Sequence, residues 1–186
     1  MITLDDFDAS NKQRVLGRSM PVAFSCSLYH TAYATPSGEV RSCGQNTDGQ
    51  VFALGSGGGG SEGEEDMILK PSLVESLLSH RVVRVSCGLT HSAVITDRGL
   101  VLTYGGNEFA QLGHSFDYGG GGGGSAVAST RVPPRSVPTL RSSVVVEVAC
   151  GETFTLALTQ NAEVFAWGSR RFCGGGDKLS SLSSSS

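Results

Sequence analysis

Three stretches of the chain alternate apolar and polar residues with the period of two that a half-buried strand requires. In the clearest, Val82-Val-Arg-Val-Ser-Cys87 sets Val83, Val85 and Cys87 on one face and Arg84 and Ser86 on the other. Gly88 breaks the run, and a second strand is predicted over His91–Thr96. The turn Asp97-Arg98-Gly99 then leads into a third, over Leu100–Tyr104. Asp shortly ahead of Gly in a tight loop marks a hairpin, the glycine supplying the left-handed conformation. The same signals recur upstream, where Pro36-Ser37-Gly38 separates strands predicted over Thr31–Thr35 and Glu39–Cys43. Downstream the turn is Gln160-Asn161-Ala162. Alanine at positive φ costs about 1 kcal/mol or more, so Asn161 is expected to take the unusual conformation there, or the turn to change type.

The three stretches are copies of one unit, and they align without a gap. Cys26, Cys87 and Cys150 open them, spaced 61 and 63 residues apart. His30, His91 and Phe154 follow at the same offset, then Gly38, Gly99 and Ala162 eight residues on, and Gly44, Gly105 and Gly168 fourteen residues on. Ahead of two copies lies a proline-bearing segment, Lys70-Pro71-Ser-Leu-Val74 and Arg135-Ser-Val-Pro138-Thr-Leu140. Proline belongs on an edge strand rather than in a sheet centre. Each unit thus offers three strands and an outer one, the content of a four-stranded antiparallel propeller blade. A helical repeat fails, because the only helical-period apolar stripe is Leu73, Leu77 and Leu78 within Ser72–Ser79.

The fold expected is all-β, a partial β-propeller of three blades in one repeat domain over residues 1–186. Its parts are copy one at 22–56, a glycine and acidic insertion at 57–66, copy two at 67–118, a glycine-rich insertion at 119–130, copy three at 131–174 and a serine-rich tail at 175–186. The glycine tracts Gly57–Gly60 and Gly119–Gly124 read as flexible polar insertions. Tract Gly57–Gly60 runs into Ser61-Glu62 and lacks the Gly-Lys-Ser/Thr of a phosphate loop.

Composition narrows the function classes. The net charge is −3 and the basic residues are scattered, which disfavours nucleic acid or chromatin as the partner. The N-terminus shows no secretory pattern, and no apolar run reaches the roughly 20 residues of a spanning helix. Five cysteines, three of them one repeat apart, fit reduced thiols in a cytoplasmic or nuclear protein and no paired metal spacing. His30 and His91 suggest acid–base chemistry in isolation. Their recurrence, with Phe154 in the third copy, points instead to a structural role in which the ring pairs with backbone across the blade. Asn46, Asn107, Gln50 and Gln111 read as side chains closing tight loops onto backbone. No nucleophile–base set, cofactor site or metal site is expected. The acidic cluster Glu62, Glu64, Glu65 and Asp66 is the one candidate partner-binding feature.

Residues 82–113 resemble repeats of the regulator of chromosome condensation family. The stretch Val82-Val-Arg-Val-Ser-Cys-Gly-Leu-Thr-His-Ser92, then Tyr104-Gly-Gly-Asn107, then Ala110-Gln-Leu-Gly113 carries the likeness. Residues 144–168 match it well, departing at Phe154, Ala162 and the following Arg170. Residues 22–50 match more loosely, with Ser27 for glycine, Thr31 for serine and Cys43 for the aromatic. The resemblance implies a seven-bladed ring, which at about 62 residues per blade needs over 400 residues. The chain is therefore expected to be a fragment of a longer propeller, with a divergent short arc, or one completed by self-association, as the alternatives. It implies a non-catalytic protein-interaction propeller, and alternatively guanine-nucleotide exchange on a Ran-type small GTPase.

Overall fold

A computed structural model describes residues 23–52, 67–114, 132–169 and 171. They form eleven strands in three antiparallel sheets. The first blade is β1 (Ala23–Cys26), β2 (His30–Ala34), β3 (Val40–Gln45) and β4 (Met67–Leu73), paired in that order. The second repeats it with β5 (Val82–Cys87), β6 (His91–Thr96), β7 (Val101–Gly105) and β8 (Val132–Ser136). The third holds β9 (Val145–Cys150), β10 (Phe154–Thr159) and β11 (Val164–Gly168) among the described residues. None of these residues forms a helix long and apolar enough to cross a membrane.

Each outer strand belongs to the blade before the sequence copy it opens. β4 pairs with β3 and β8 with β7, so the sheets end one strand later than the boundaries at 67 and 131 suggest. Prolines sit where the ladder tolerates them, Pro71 on edge strand β4 and Pro133 and Pro134 on edge strand β8. Pro138 lies beyond the strand expected for it, at the start of a 3-10 turn over Pro138–Leu140. Its missing N–H suits that first position. The stripe at Ser72–Ser79 likewise yields only a 3-10 turn, Glu75–Leu77.

The blades stack as an arc. β5 touches β1 and β2, and β9 touches β5 and β6, which places the first strand of each blade on the inner side. Two apolar clusters fill the gaps. One joins Ala34, Val40, Val74 and Leu77 of the first blade to Val82, Val94, Leu102 and Tyr104 of the second. The other joins Ala93, Ile95, Val101, Val137 and Leu140 to Val145, Val148 and Ala157 of the third. The core thus lies between sheets, and no blade buries its own faces alone. Val82 is buried while Val83 is half-buried, against the alternation read from sequence. An irregularity between Val82 and Arg84 skips Val83 in the pairing with β6 and resets the phase.

The hairpin tips tie each blade to its successor. Gly38 and Gly99 have φ of 90° and 76°, and their carbonyls accept the Val82 and Val145 N–H groups, both at 3.0 Å. A Cβ on Gly99 would stand 2.6 Å from Cγ1 of Val144, and one on Gly38 2.8 Å from Cα of Arg81. Ala162 itself takes the left-handed conformation, φ 62°, where Asn161 was expected to absorb it. The Ala162 N–H donates to the Thr159 carbonyl at 3.0 Å, as Gly99 does to Thr96 at 2.9 Å, so the turn type is kept and the strain falls on alanine. Gly99→Ala is expected to cost about 1–3 kcal/mol, from left-handed strain plus overlap with the next blade. Ala162→Gly should recover up to about 1 kcal/mol. Denaturant unfolding of the two variants checks both signs.

Candidate functional site: inter-blade latch and loop end

The histidines, cysteines and loop amides singled out by the sequence converge at the junctions between blades. At the first junction His30 Nε2 lies 2.7 Å from the Ser92 hydroxyl, and that hydroxyl donates to the Gln50 carbonyl at 2.9 Å. At the second, His91 Nε2 lies 2.9 Å from the Thr155 hydroxyl, which donates to the Gln111 carbonyl at 2.9 Å. A hydroxyl has one proton to give. With that proton committed to a carbonyl, the ring nitrogen must be the donor, so each imidazole carries a proton on Nε2. The histidines therefore do not pair with backbone across their own blade, as expected from sequence. They reach a hydroxyl of the next one, because the ring projects from the face that the neighbouring sheet covers.

The two rings differ at Nδ1. Ser27 stands beside His30 and its hydroxyl lies 3.0 Å from Nδ1. In the second copy the same place is Gly88, over which the ring packs so closely that a Cβ would overlap it. His91 Nδ1 consequently has no partner among the described residues. Burial holds the His30 imidazole down to about 4 and, with the neighbouring His30, the His91 imidazole down to about 3. Both rings are therefore neutral at neutral pH, held away from the near-neutral titration that suits a general acid or base.

The cysteines form a second, parallel tie. The Cys87 N–H donates to the Ser25 hydroxyl at 3.0 Å and its thiol to the Ser25 carbonyl at 3.4 Å. Cys150 repeats this with Ser86, at 2.9 and 3.5 Å. Burial pushes both thiols up to about 12, so they are protonated and unreactive. Cys26, Cys43, Cys87 and Cys150 are all free thiols. The partners Ser25, Ser86, Ser92 and Thr155 escaped the sequence reading, although a hydroxyl follows the His position in every copy (Thr31, Ser92, Thr155).

The loop amides behave as expected. Asn46 Oδ1 accepts the Val51 and Phe52 N–H groups at 3.1 and 3.2 Å, and Gln50 Oε1 that of Asp48 at 2.9 Å. Asn107 and Gln111 repeat the pattern with Leu112 at 3.0 Å and Phe109 at 2.8 Å. These caps aim the Gln50 and Gln111 carbonyls at the next blade. Trp167 Nε1 shares the second one, at 2.8 Å.

All of these loops leave one end of the arc. The β1–β2 loop exposes Leu28 (77%) and Tyr29 there, and the loop after β7 exposes Phe109. Asp48, Glu108 and Glu152 lie on the same loops. The chain departs at Phe52 and returns at Met67 on this end too, so the intervening connection starts and finishes there. The acidic cluster Glu62, Glu64, Glu65 and Asp66 falls in that connection and lies outside the described residues. Among the described residues no group of His, Cys, Asp and Glu is arranged to hold a metal.

Family models described as the regulator of chromosome condensation (RCC1) repeat match residues 37–95 and 98–158, and a second such model matches 22–50, 82–111 and 145–172. Human E3 ubiquitin-protein ligase HERC2 is 34% identical over 146 residues, 77% of this chain and 3% of that protein. The RCC2 homolog of Danio rerio is 29% identical over 166 residues, 82% of this chain and 32% of that protein. The solved structure of human WBSCR16 superposes with a TM-score of 0.62 at 26% identity, covering 81% of this chain and 33% of that one. That of Prp20p from Saccharomyces cerevisiae, a protein described by its binding to Gsp1p and histones, does so with a TM-score of 0.62 at 20% identity, covering 78% and 32%. The chain thus spans about a third or less of the length of these relatives.

Two outcomes follow from the latch. Because both imidazoles titrate below the ordinary 6.5 in the folded state, the unfolded chain takes up their protons first on acidification. The stability they allow is complete above about pH 6.5 and is lost as pH falls toward 4 and 3. Thermal melts should show the midpoint dropping steadily between pH 7 and 4.5, with a shallower drop in His91→Phe. Ser92→Ala should cost about 1–3 kcal/mol in denaturant unfolding, because it strands the His30 N–H and the Gln50 carbonyl in a buried site.

Proposed function

The chain belongs to the regulator of chromosome condensation repeat family, and from that footing we propose that it is a non-catalytic protein-docking arc of a propeller. The observation that carries this reading is the division of labour along each blade. The polar residues that recur between copies are consumed in holding blades together, which leaves recognition to the loop end. There Leu28, Tyr29 and Phe109 are exposed on loops whose backbones are fixed by Asn and Gln caps. Rigidly mounted loops with exposed aromatic and aliphatic side chains are what a binding surface needs.

The partner is a protein with a basic surface. Asp48, Glu108 and Glu152 on the loops support that charge, and the acidic cluster Glu62, Glu64, Glu65 and Asp66, outside the described residues, adds to it in sequence between β3 and β4. The protein would act in the cytoplasm or the nucleus. A second reading is guanine-nucleotide exchange on a Ran-type small GTPase, supported by the binding of Prp20p to Gsp1p. The matched residues make up 3% of HERC2, so its ligase activity is not carried over to this chain.

Surface plasmon resonance against core histones and against a Ran-type GTPase tests the docking reading. Binding to either should weaken at least about tenfold in Leu28→Ser/Phe109→Ser, with the melting curve unchanged. Binding indifferent to that change would remove the loop end as the docking surface. Release of labelled GDP separates the second reading, since acceleration well above the spontaneous rate establishes exchange and rejects a purely passive module.

A further inference from the structure

The two junctions are built on equivalent rows of residues, yet their polar atoms are settled differently. On the first blade Ser25, Ala32 and Ser42 pair across β1, β2 and β3 and lie on the face toward the second blade. The row that meets them is Cys87, Ser92 and Tyr104, paired across β5, β6 and β7. The second junction repeats this one blade on, with Ser86, Ala93 and Thr103 against Cys150, Thr155 and Trp167.

In the second junction the last member of each row has a protein partner. Thr103 gives its hydroxyl proton to the Leu112 carbonyl at 2.7 Å, and the Trp167 indole N–H reaches the Gln111 carbonyl at 2.8 Å. Ser42 and Tyr104 hold the same places in the first junction, and both are fully buried. Neither Ser42 Oγ nor the Tyr104 hydroxyl has a hydrogen-bond partner among the described residues. Hydroxyls left unpaired in an apolar gap are costly, and two adjoining ones call for a common partner.

The side chains themselves account for the difference. Serine lacks the γ-methyl of Thr103, and a phenol has fewer atoms than an indole, so less side-chain volume fills the first junction here. Trp167 lies over Gly113, where a Cβ would stand 2.7 Å from Nε1. Phe52 holds the glycine's place in the first copy. It takes the left-handed conformation, φ 40°, and its ring meets that of Tyr104 edge to face, with centroids 6.5 Å apart. That ring presents only carbon to the gap, so it brings no acceptor to the phenol.

Three oxygens nevertheless converge. Tyr104 and Ser92 are direct neighbours in the register of β6 with β7. Burial pushes the Tyr104 phenol up, and the Ser42 and Ser92 hydroxyls draw it back, so both stand within polar reach of it. Ser92 has given its proton to the Gln50 carbonyl and one lone pair to His30 Nε2, which leaves it one lone pair. Tyr104 and Ser42 each still have a proton to give. Two donors and one acceptor, close together but not bonded to one another, suit a molecule that both accepts and donates.

We infer that the first junction binds one internal water, held by the Tyr104 hydroxyl, Ser42 Oγ and Ser92 Oγ, and that the second junction excludes it. The water accepts from Tyr104 and Ser42 and donates to the remaining lone pair of Ser92. Those three bonds match the roughly three that a buried water makes. The first junction is thus joined in part through solvent, and the second through direct contacts alone. The site lies between two blades and away from the loop end, so its failure leaves the docking reading above untouched.

High-resolution crystallography of the full chain reads the site directly. One ordered water within hydrogen-bond reach of all three oxygens is expected, with none between Thr103 and Trp167. A Tyr104 hydroxyl bonded straight to Ser42 or Ser92 would overturn the inference, as would a gap without water or a matching water in the second junction. Ser42→Thr with Phe52→Gly and Tyr104→Trp transplants the second junction's set and should expel the water; a water that persists there counts against it. Should that triple exchange fail to fold, a double-mutant cycle in denaturant unfolding decides. Ser42→Ala and Tyr104→Phe should each lower the midpoint, and the double variant should lose less than the sum, because either deletion alone breaks the bridge. Strictly additive losses would reject a shared water.

Discussion

The constraint on which the rest depends is the single proton of a buried hydroxyl. Ser92 and Thr155 each give that proton to a loop carbonyl of the preceding blade, so each must receive one from the preceding blade's histidine. That chain of obligations fixes the ring tautomer and the blade spacing together. It also demands that the Asn and Gln caps hold the loop in place, since a carbonyl displaced by an ångström would leave itself and the hydroxyl proton unpaired in an apolar gap. The apolar clusters provide most of the attraction between sheets, but they tolerate sliding. The latch adds directional bonds at one fixed point of each junction, which sliding would break.

Much of the fold was legible in the sequence because the repeat supplied three readings of the same unit. The central strands, the hairpin glycines and the loop amides all fell where their periodicity and spacing placed them. What the sequence hid has identifiable causes. A skipped residue at Val83 shifts the burial phase without disturbing the residue pattern, so Val82 looked like a solvent-side position. The outer strands join the preceding sheet across long connections, and no local signal records which neighbour a strand pairs with. Ala162 accepts positive φ because the hydrogen bonds of the turn hold it there, a tertiary outcome that propensity alone predicts against.

The site was legible in part. Recurrence assigned the histidines and cysteines to the architecture of the repeat, and they do bond across the blade junctions, yet recurrence did not reveal their partners. A hydroxyl after each histidine position was visible in all three copies, but its partner lies 62 or 64 residues away in the chain. Only the stacking of sheets brings the two together. The acidic cluster at 62–66 gained nothing from the structure, whereas Leu28, Tyr29 and Phe109 were inconspicuous in sequence and conspicuous on the surface.

Substitutions in a repeat carry more information than identities, because their distribution over the faces of a blade has a meaning. Had the third copy drifted at random, losses would fall on both of its faces. They fall on one. The groups that look back to the second blade are kept, while those that would look forward are replaced by alanine, phenylalanine and alanine again. Phe154 shows how such a change is tolerated. The phenyl ring fills over Gly151 the place that the imidazole of His91 takes over Gly88, without the desolvation of two ring nitrogens. In the first blade Cys26 and Thr31 likewise retain the thiol and hydroxyl chemistry of Cys87 and Ser92. The substitutions thus follow the face of a blade rather than the copy as a whole.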